Sequence, residues 1–562
     1  MTDPRSRRGS ILRRYPALAL VIAAGALAIL LPSALTVPQS GPTALAEFAP
    51  VPGSGDGRSD VSDLGQAASG GLGFGSGGGN SSGTFAESAK GPEQKRARLK
   101  KCVGNPPRQT EDLLSPPCVA FFDGDNFGST WKGVTKDEVT AVLYGRPEPR
   151  DSSAFFTDCS AQPDPATDRA EDSICQAYSR FFNDRYQTYG RRVHLWVYHQ
   201  WNNVPPPPPA LTVADLDDKK KPFALVPASL NLEGYVHESG KRKIVTAFYE
   251  SMQSSFYRAS APYLFGFRAQ GEDQARIFAS YICKKLADRP ARHAGDPTYR
   301  NTKRKFGIFS SSGDPNNLNK FLPEQLEQQC GIKNLMKGNS SNPGPSDSVQ
   351  MKTANVTTAL LIGGGSIPPA GLQGATDAGW LPEWVIQSGY SYEGPDSAEI
   401  ARTYDPIQWR SAFGISMDYR RDLYRNQSWY AAYKEACSGC PEPSSKYTPY
   451  IYDALKMLFH GIQAAGPRLT PENLDKGLHA IPQIGSTNPY KPAAYFAPGG
   501  YSYLKDAMEI WWDPQGQTEP TAPIGCFRLP RGGQRFRSGE WIGDDGDVFN
   551  DPSHPCQAPA SP

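Results

Sequence analysis

The sequence predicts an α/β protein with two doubly wound lobes. Two observations carry that expectation. From about Val134 onward, β-rich runs alternate with segments whose apolar residues recur at three- and four-residue steps, the order strand, helix, parallel strand. The alternation also comes as two series, and a charged stretch ending near Lys305 separates them. Each series can wind helices onto both faces of its own sheet.

The elements follow in order. Glu138 to Tyr144 (EVTAVLY) is β-rich. Ser173 to Tyr189 sets Ile174, Ala177, Tyr178, Phe181, Phe182, Tyr186 and Tyr189 at helical spacing, and Gly190 stops the helix. Val193 to Tyr198 (VHLWVY) is the next strand, so the three together imply a parallel βαβ unit. Strands at Phe223 to Val226 and Ile244 to Phe248 and a helix from Asp273 to Leu286 continue the first series. The second series holds a strand at Lys305 to Ser310, a helix at Pro315 to Gln329, and strands at Thr358 to Ile362 and Glu383 to Gln387. Helical segments come next at Trp429 to Cys437 and Pro449 to Ala465, and Thr470-Pro471 makes a capped helix start. Ala507 to Trp512 and Gly525 to Leu529 are strand-like. Pro205 to Pro209 reads as a stiff polyproline insertion.

Composition sets bounds on function. The chain has 562 residues, with 59 Lys+Arg against 57 Asp+Glu, and this near-neutral balance excludes the basic field of a dedicated nucleic-acid binder. A mean hydropathy of −0.52 excludes a polytopic membrane protein. One stretch can enter a bilayer: Arg5, Arg7, Arg8, Arg13 and Arg14 precede an apolar run from Ala17 to Leu31, the pattern of an export signal. Ala44-Leu45-Ala46 resembles a processing site but lies far from that run. The expectation is therefore a single-pass anchor over residues 1–46, with the remainder extracytoplasmic and secretion after cleavage as the alternative. Residues 47–117 read as a flexible tether, with the glycine- and serine-rich Gly70 to Gly83 and a basic run from Lys95 to Lys101. Residues 553–562 read as a disordered tail.

The ten cysteines form an even set: Cys102, Cys118, Cys159, Cys175, Cys283, Cys330, Cys437, Cys440, Cys526 and Cys556. In an exported chain such a set reads as disulfides, and nearest-neighbour order gives five local pairs. Cys437-Ser438-Gly439-Cys440 is a lone CxxC without a second CxxC or a histidine at zinc spacing, so no metal site is expected there. An enzyme is not expected either. His194 lies inside an apolar strand and His460 inside an apolar helix, which reads as packing. Gly363 to Ser366 (GGGS) lacks the last glycine of a nucleophile elbow. Asp123 and Asp125 in FFDGDN lack the closing glutamate of a calcium loop. Trp511 and Trp512 read as core or lobe-rim residues. No cofactor is implied.

Five segments carry a resemblance to a known family: GVTKDEVTAVLY (Gly133 to Tyr144), FNDRYQTYGRRVHLWVY (Phe182 to Tyr198), RKFGIFSSSGDP (Arg304 to Pro315), VTTALLIGGGSIPPAGLQGATDAGWLPEWVIQSG (Val356 to Gly389) and YDALKMLFHGIQAAGPRLTPENLDKGL (Tyr452 to Leu478). In their order they resemble the type I periplasmic binding proteins, in particular the leucine/isoleucine/valine-binding branch of ABC-transporter solute receptors. The resemblance implies interleaved lobes, with lobe one at 118–300 plus 413–482 and lobe two at 301–412 plus 483–552. It also implies a small-molecule ligand held between the lobes and an ABC permease as partner.

In such a fold the crevice is lined by loops at the carboxyl ends of strands. These are Gly145 to Phe155, His199 to Asn203, Ala228 to Asn231 and Glu250 to Ser255 on lobe one, and Ser310 to Asp314, Gly363 to Ser366 and Ser388 to Tyr392 on lobe two. The candidate ligand-binding residues are Glu250, Ser251, Ser310, Asp314, Gly364, Ser366 and Tyr392. Glu250 is weighed as a cation partner against a satisfied carboxylate, and Asp314 as a ligand group against a helix cap. The stretch Tyr249-Glu250-Ser251-Met252-Gln253-Ser254 departs from the family's serine- and threonine-rich loop, and the glycine run brings no acid, which argues against an amino-acid ligand. The functional expectation is an extracytoplasmic solute-binding protein that serves an ABC-type importer. The alternative is a membrane-anchored surface sensor or structural protein that keeps the binding fold without transport.

Overall fold

The computed structural model describes residues 102–144, 155–161, 170–199, 208–227, 233–310, 314, 316–338, 344–362, 369–388, 403–419, 424–444, 448–485, 488–517, 523–549 and 556. All of them belong to one compact unit. The stretch read as an anchor, most of the tether and nearly all of the tail lie outside these residues. Among the described residues no helix is long and apolar enough to cross a membrane.

Two sheets organise the molecule. The first holds β1 (Glu138–Tyr144), β2 (Phe155–Asp158), β3 (Arg192–His199), β4 (Ala224–Pro227), β5 (Val245–Phe248) and β6 (Leu264–Gly266) in the order β2-β3-β1-β4-β5-β6. All neighbours are parallel except β2, which runs antiparallel to β3. The second holds β7 (Phe306–Ser310), β8 (Met336–Lys337), β9 (Thr358–Ile362), β10 (Glu383–Ser388), β11 (Ala412–Ser416), β12 (Ala507–Asp513) and β13 (Cys526–Arg528) in the order β13-β12-β11-β10-β9-β7-β8, with β14 (Arg535–Phe536) beside β12. Their parallel parts, β3-β1-β4-β5-β6 and β8-β7-β9-β10-β11, share one winding order. In each the order of winding reverses at the lobe's first strand, which makes a topological switch point.

The strands are parallel because helices cover both faces, and they are apolar throughout for the same reason: β4, β5, β7, β9 and β11 are buried at every residue. The helix Thr448–Ala465 is buried on nearly all sides, between β4, β5 and the Ala170–Arg185 helix. Thr470 Oγ1 accepts from Asn473 N at 3.2 Å and Pro471 follows it, the capped start read from sequence. Trp511 and Trp512, on alternate faces of β12, are buried in the two cores of the second lobe. The helix of the second series spans Leu318–Cys330.

The core assignments correct three lobe boundaries. Phe267 packs in the first lobe and Ala269 in the second, so the chain first crosses near residue 268 and not at 300. The helix Gly271–Tyr281, expected in lobe one, instead packs on Leu318–Cys330 in lobe two. The return falls between Met417 and Tyr419, since β11 is paired with β10 and belongs to lobe two. The last crossing lies between Leu504 and Ala507 and not at 482, because residues 501–504 pair with the end of β6, Ala494 pairs back onto Leu504, and Phe496 and Tyr503 are buried in lobe one. The tether expectation is corrected as well. From Cys102 the chain is packed, with Leu114 and Asp112 fully buried. The helix at Pro209–Lys220 takes Pro209 as its first residue, so the end of the proline run starts a helix; residues 205–207 lie outside the described residues.

All ten cysteines are paired in nearest-neighbour order: Cys102–Cys118, Cys159–Cys175, Cys283–Cys330, Cys437–Cys440 and Cys526–Cys556. The Cys283–Cys330 bridge ties the end of the Gly271–Tyr281 helix to the end of Leu318–Cys330 across a separation of 47 residues, against 3 for Cys437–Cys440. Loop-closure entropy then assigns it about 4 kcal/mol against roughly 1–2 for the short loop. Urea titration of Cys283→Ser/Cys330→Ser is expected to show the larger loss.

His460 is packed, as its helix suggested, with Nε2 3.0 Å from Tyr186 Oη. Burial holds its imidazole well below the usual histidine range, and Lys456 adds to the effect. The unfolded chain therefore binds this proton first, and stability falls as pH drops below about 6.5, by up to about 1.4 kcal/mol per pH unit. His293 is lowered by burial too and acts in the same direction. Urea midpoints measured from neutral pH downward check this, and His460→Gln should flatten part of the slope. His194 packs by stacking on Trp196 at 4.7 Å, and its ring nitrogens lie 3.1 Å from Glu138 Oε2 and 2.9 Å from Asp158 Oδ1, at the end of the sheet away from the crevice.

Candidate crevice between the lobes

The carboxyl ends of the parallel strands converge where the chain passes from one lobe to the other, and this is where a doubly wound fold leaves room for a ligand. Lobe one contributes the segment after β5. Ser251 is buried, and its hydroxyl donates to Asn316 Oδ1 of lobe two at 2.9 Å. It also accepts from Gln274 Nε2 at 2.8 Å, and Gln274 sits in the first turn of the Gly271–Tyr281 helix, just past the first crossing. Gln387, the penultimate residue of β10, donates to Gln274 Oε1 at 2.9 Å. A chain of four polar side chains thus runs across the crevice from Asn316 through Ser251 and Gln274 to Gln387. Buried Gln387 Oε1 has no hydrogen-bond partner among the described residues. Gly271 allows the arrangement: a Cβ there would overlap the Asn316 carbonyl.

Beside the chain, the Glu250 carboxylate is engaged by Arg268 at 2.9 Å, with both groups buried. Glu250 is a paired carboxylate, and the Arg268 amide is fixed to the Tyr249 carbonyl. Tyr249 donates to Asp418 Oδ2 at 2.8 Å and stacks on the half-buried Tyr450 at 4.3 Å. The first and second crossings are thereby linked through one tyrosine.

On lobe two, Ser310 is buried at the end of β7 and accepts from Asn319 Nδ2 at 3.0 Å. Asp314 accepts from the Leu318 and Asn319 amides at 2.7 Å each. It serves the start of the Leu318–Cys330 helix, the capping role weighed for it from sequence. Gly364, Ser366 and Tyr392 lie outside the described residues, as do 145–154, 200–203, 228–231, 311–313, 363–366 and 389–391 of the expected lining. His199, the first residue of one expected loop, is buried and paired with Asp172 at 2.9 Å.

Asn316, Gln274, Gln387 and Arg268 were not singled out from sequence. Gln274 and Gln387 sit inside segments read as a helix and a strand, where a lone glutamine looks like an exposed face. Only the adjacency of three crossings brings them to Ser251.

No protein-family model and no curated protein matches the chain. Solved structures do. The solved structures it resembles are type I periplasmic binding proteins. One is a fatty acid ABC transporter substrate-binding protein from Thermomonospora curvata, at 14% identity and TM-score 0.46, covering 72% of this chain and 94% of that one. A second is a Rhodopseudomonas palustris ABC-transporter solute-binding protein in complex with 4-hydroxybenzoate, at 11% identity and TM-score 0.47, covering 72% and 99%. A third is a leucine-, isoleucine-, valine-, threonine- and alanine-binding protein from Brucella ovis in a closed conformation, at 10% and 0.47, covering 73% and 98%.

Proposed function

We propose that the protein is an extracytoplasmic solute-binding protein that captures a small polar organic molecule between its lobes and delivers it to an ABC-type importer, held at the membrane by residues 1–46. The single observation that carries the reading is the polar chain Asn316–Ser251–Gln274–Gln387, which joins both lobes at the carboxyl ends of the strands and ends in the buried acceptor Gln387 Oε1. A ligand with an N–H or O–H group would satisfy that acceptor and recover the cost of burying it, which amounts to about 1–3 kcal/mol. The Ser251 bonds to Asn316 and Gln274 are the ones that span the lobes, so a ligand that bridges Ser251 and Gln387 would favour the closed arrangement. Glu250 is occupied by Arg268, so the reading takes hydrogen bonding, and not an ammonium–carboxylate pair, as the means of recognition.

The test is a thermal-shift screen of the purified protein against amino acids, amides, aromatic acids and short fatty acids. A ligand that binds only the native state raises the melting temperature by mass action. One class that gives a saturable rise supports capture, and no rise with any class counts against it. A surface sensor that keeps the binding fold without transport gives the same rise but no ligand-dependent uptake by cells.

A further inference from the structure

The crossings hold a buried cation that ligand capture does not use. Lys456, on the Thr448–Ala465 helix, is fully buried, and its ammonium lies 3.1 Å from both Asp112 carboxylate oxygens and 2.9 Å from Asp453 Oδ1. It donates to Tyr419 Oη at 3.1 Å, and Tyr419 in turn donates to Asp453 at 2.7 Å. The rings of Phe267, Tyr419 and Tyr452 surround it with centroids at 5.3, 5.0 and 5.1 Å. Phe267 borders the first crossing and Tyr419 the second, and the Phe267 carbonyl accepts from the Leu504 amide beside the third, at 3.1 Å. One ammonium therefore touches two crossings and is one hydrogen bond away from the last.

Asp112 reaches this site from outside the winding of either lobe. It belongs to the loop closed by Cys102–Cys118. The Ser115 amide donates to the Asp112 carbonyl at 3.0 Å, the Leu114 amide to its Oδ1 at 2.6 Å, and the Gln109 side chain to the Arg185 carbonyl. The opposite side of the hinge is fixed by Arg535 of lobe two, which bonds the Met417, Asp418 and Asp506 carbonyls and the Asp506 carboxylate. Arg535 comes from the lobe it steadies, whereas Asp112 is brought in by a separate disulfide-closed loop.

We propose that Asp112 is a positioning residue for the hinge, and that the Cys102–Cys118 loop is a clasp that sets, through Lys456, how far the lobes open. This rests on the two-lobed capture reading. Without the Asp112 charge, the Lys456 ammonium loses its partner from the loop, and the cage that holds Phe267 and Tyr419 loosens. The crossings then sample wider openings, and the closed arrangement is less populated before any ligand arrives.

The test uses the full chain without ligand, so failure to find a ligand does not affect it. The variants are Asp112→Asn and Cys102→Ser/Cys118→Ser. The control is Cys159→Ser/Cys175→Ser, whose bridge spans the same separation of 16 residues but lies away from the crossings. Hydrogen exchange is read at the Phe267, Arg268 and Leu504 amides. The distance between lobes is read from non-thiol spin labels at Leu211 and Val349, exposed on lobes one and two respectively. Both clasp variants are expected to raise exchange at the three hinge amides by roughly tenfold or more and to broaden the distance distribution, with β1 and β3 unchanged. The control should lower the melting temperature and leave the hinge as in wild type. The proposal is overturned if Asp112→Asn keeps wild-type hinge exchange and distances, or if exchange rises equally in β1, β3 and the control. Should Asp112→Asn not fold, the cysteine variant decides by the same criteria.

Discussion

Replacing Glu383 by alanine is expected to lower the free energy of unfolding by about 3–5 kcal/mol, because it takes one of two carboxylates from a fully buried arginine and orphans the buried donors that Glu383 satisfies. Arg304 holds Glu383 through two bonds of 2.7 and 2.8 Å and Asp545 through one of 2.7 Å, with all three side chains sealed from water. Glu383 also accepts from Thr358 Oγ1 and the His293 amide. The cluster sits at the amino ends of β9 and β10, away from the crevice, and it docks the C-terminal segment around Asp545 onto the second sheet. Glu383→Ala should therefore lower stability without moving the ligand affinity of the molecules that remain folded. Urea titration reads the loss. Lys303→Ala, which breaks an ion pair with both partners mostly exposed, should give no measurable change and serves as the control.

Arg268→Met is the second large effect, and here stability and binding can be separated. The substitution takes the Arg268 guanidinium from the buried Glu250 carboxylate, at a cost of about 3–5 kcal/mol. Adding Glu250→Gln removes that buried charge and should recover most of the stability. Binding should not recover with it: Arg268 and Glu250 hold the segment that presents Ser251, and Tyr249 of the same segment bonds Asp418 at the second crossing. A double variant that regains both stability and ligand affinity would place the crevice elsewhere.

Much of this architecture was legible in the chain. The strands Glu138–Tyr144 and Thr358–Ile362 are legible to the residue, because a parallel strand covered on both faces leaves a short, largely apolar run. The short β6 and the interrupted helix from Gly271 to Leu286 show why the crossings were misplaced. A three-residue strand leaves too weak a pattern, and a helix with an apolar face does not say which sheet it covers. Nor could sequence show that residues 501–504 return to pair with the end of β6, since that pairing is set by tertiary contact. Ser251 was found because it follows a strand. Asn316, Gln274 and Gln387 were not, because their roles come from positions brought together only by folding. Asp112 was hidden for another reason: it sits in a segment whose composition, read together with the glycine-rich stretch before it, suggested a tether.

The measurement that bears most directly on the account is calorimetric titration of the compound class selected by the thermal-shift screen into wild-type protein and into Gln274→Leu. Gln274 touches Ser251 of one lobe and Gln387 of the other, so its loss breaks the polar chain at its centre and leaves neighbouring groups unpaired. One site per chain is expected in the wild type, with an affinity at least roughly tenfold weaker in the variant, equivalent to about 1.4 kcal/mol. Equal affinity in the two proteins, or binding at more than one site per chain, would contradict a single ligand site in the crevice between the lobes.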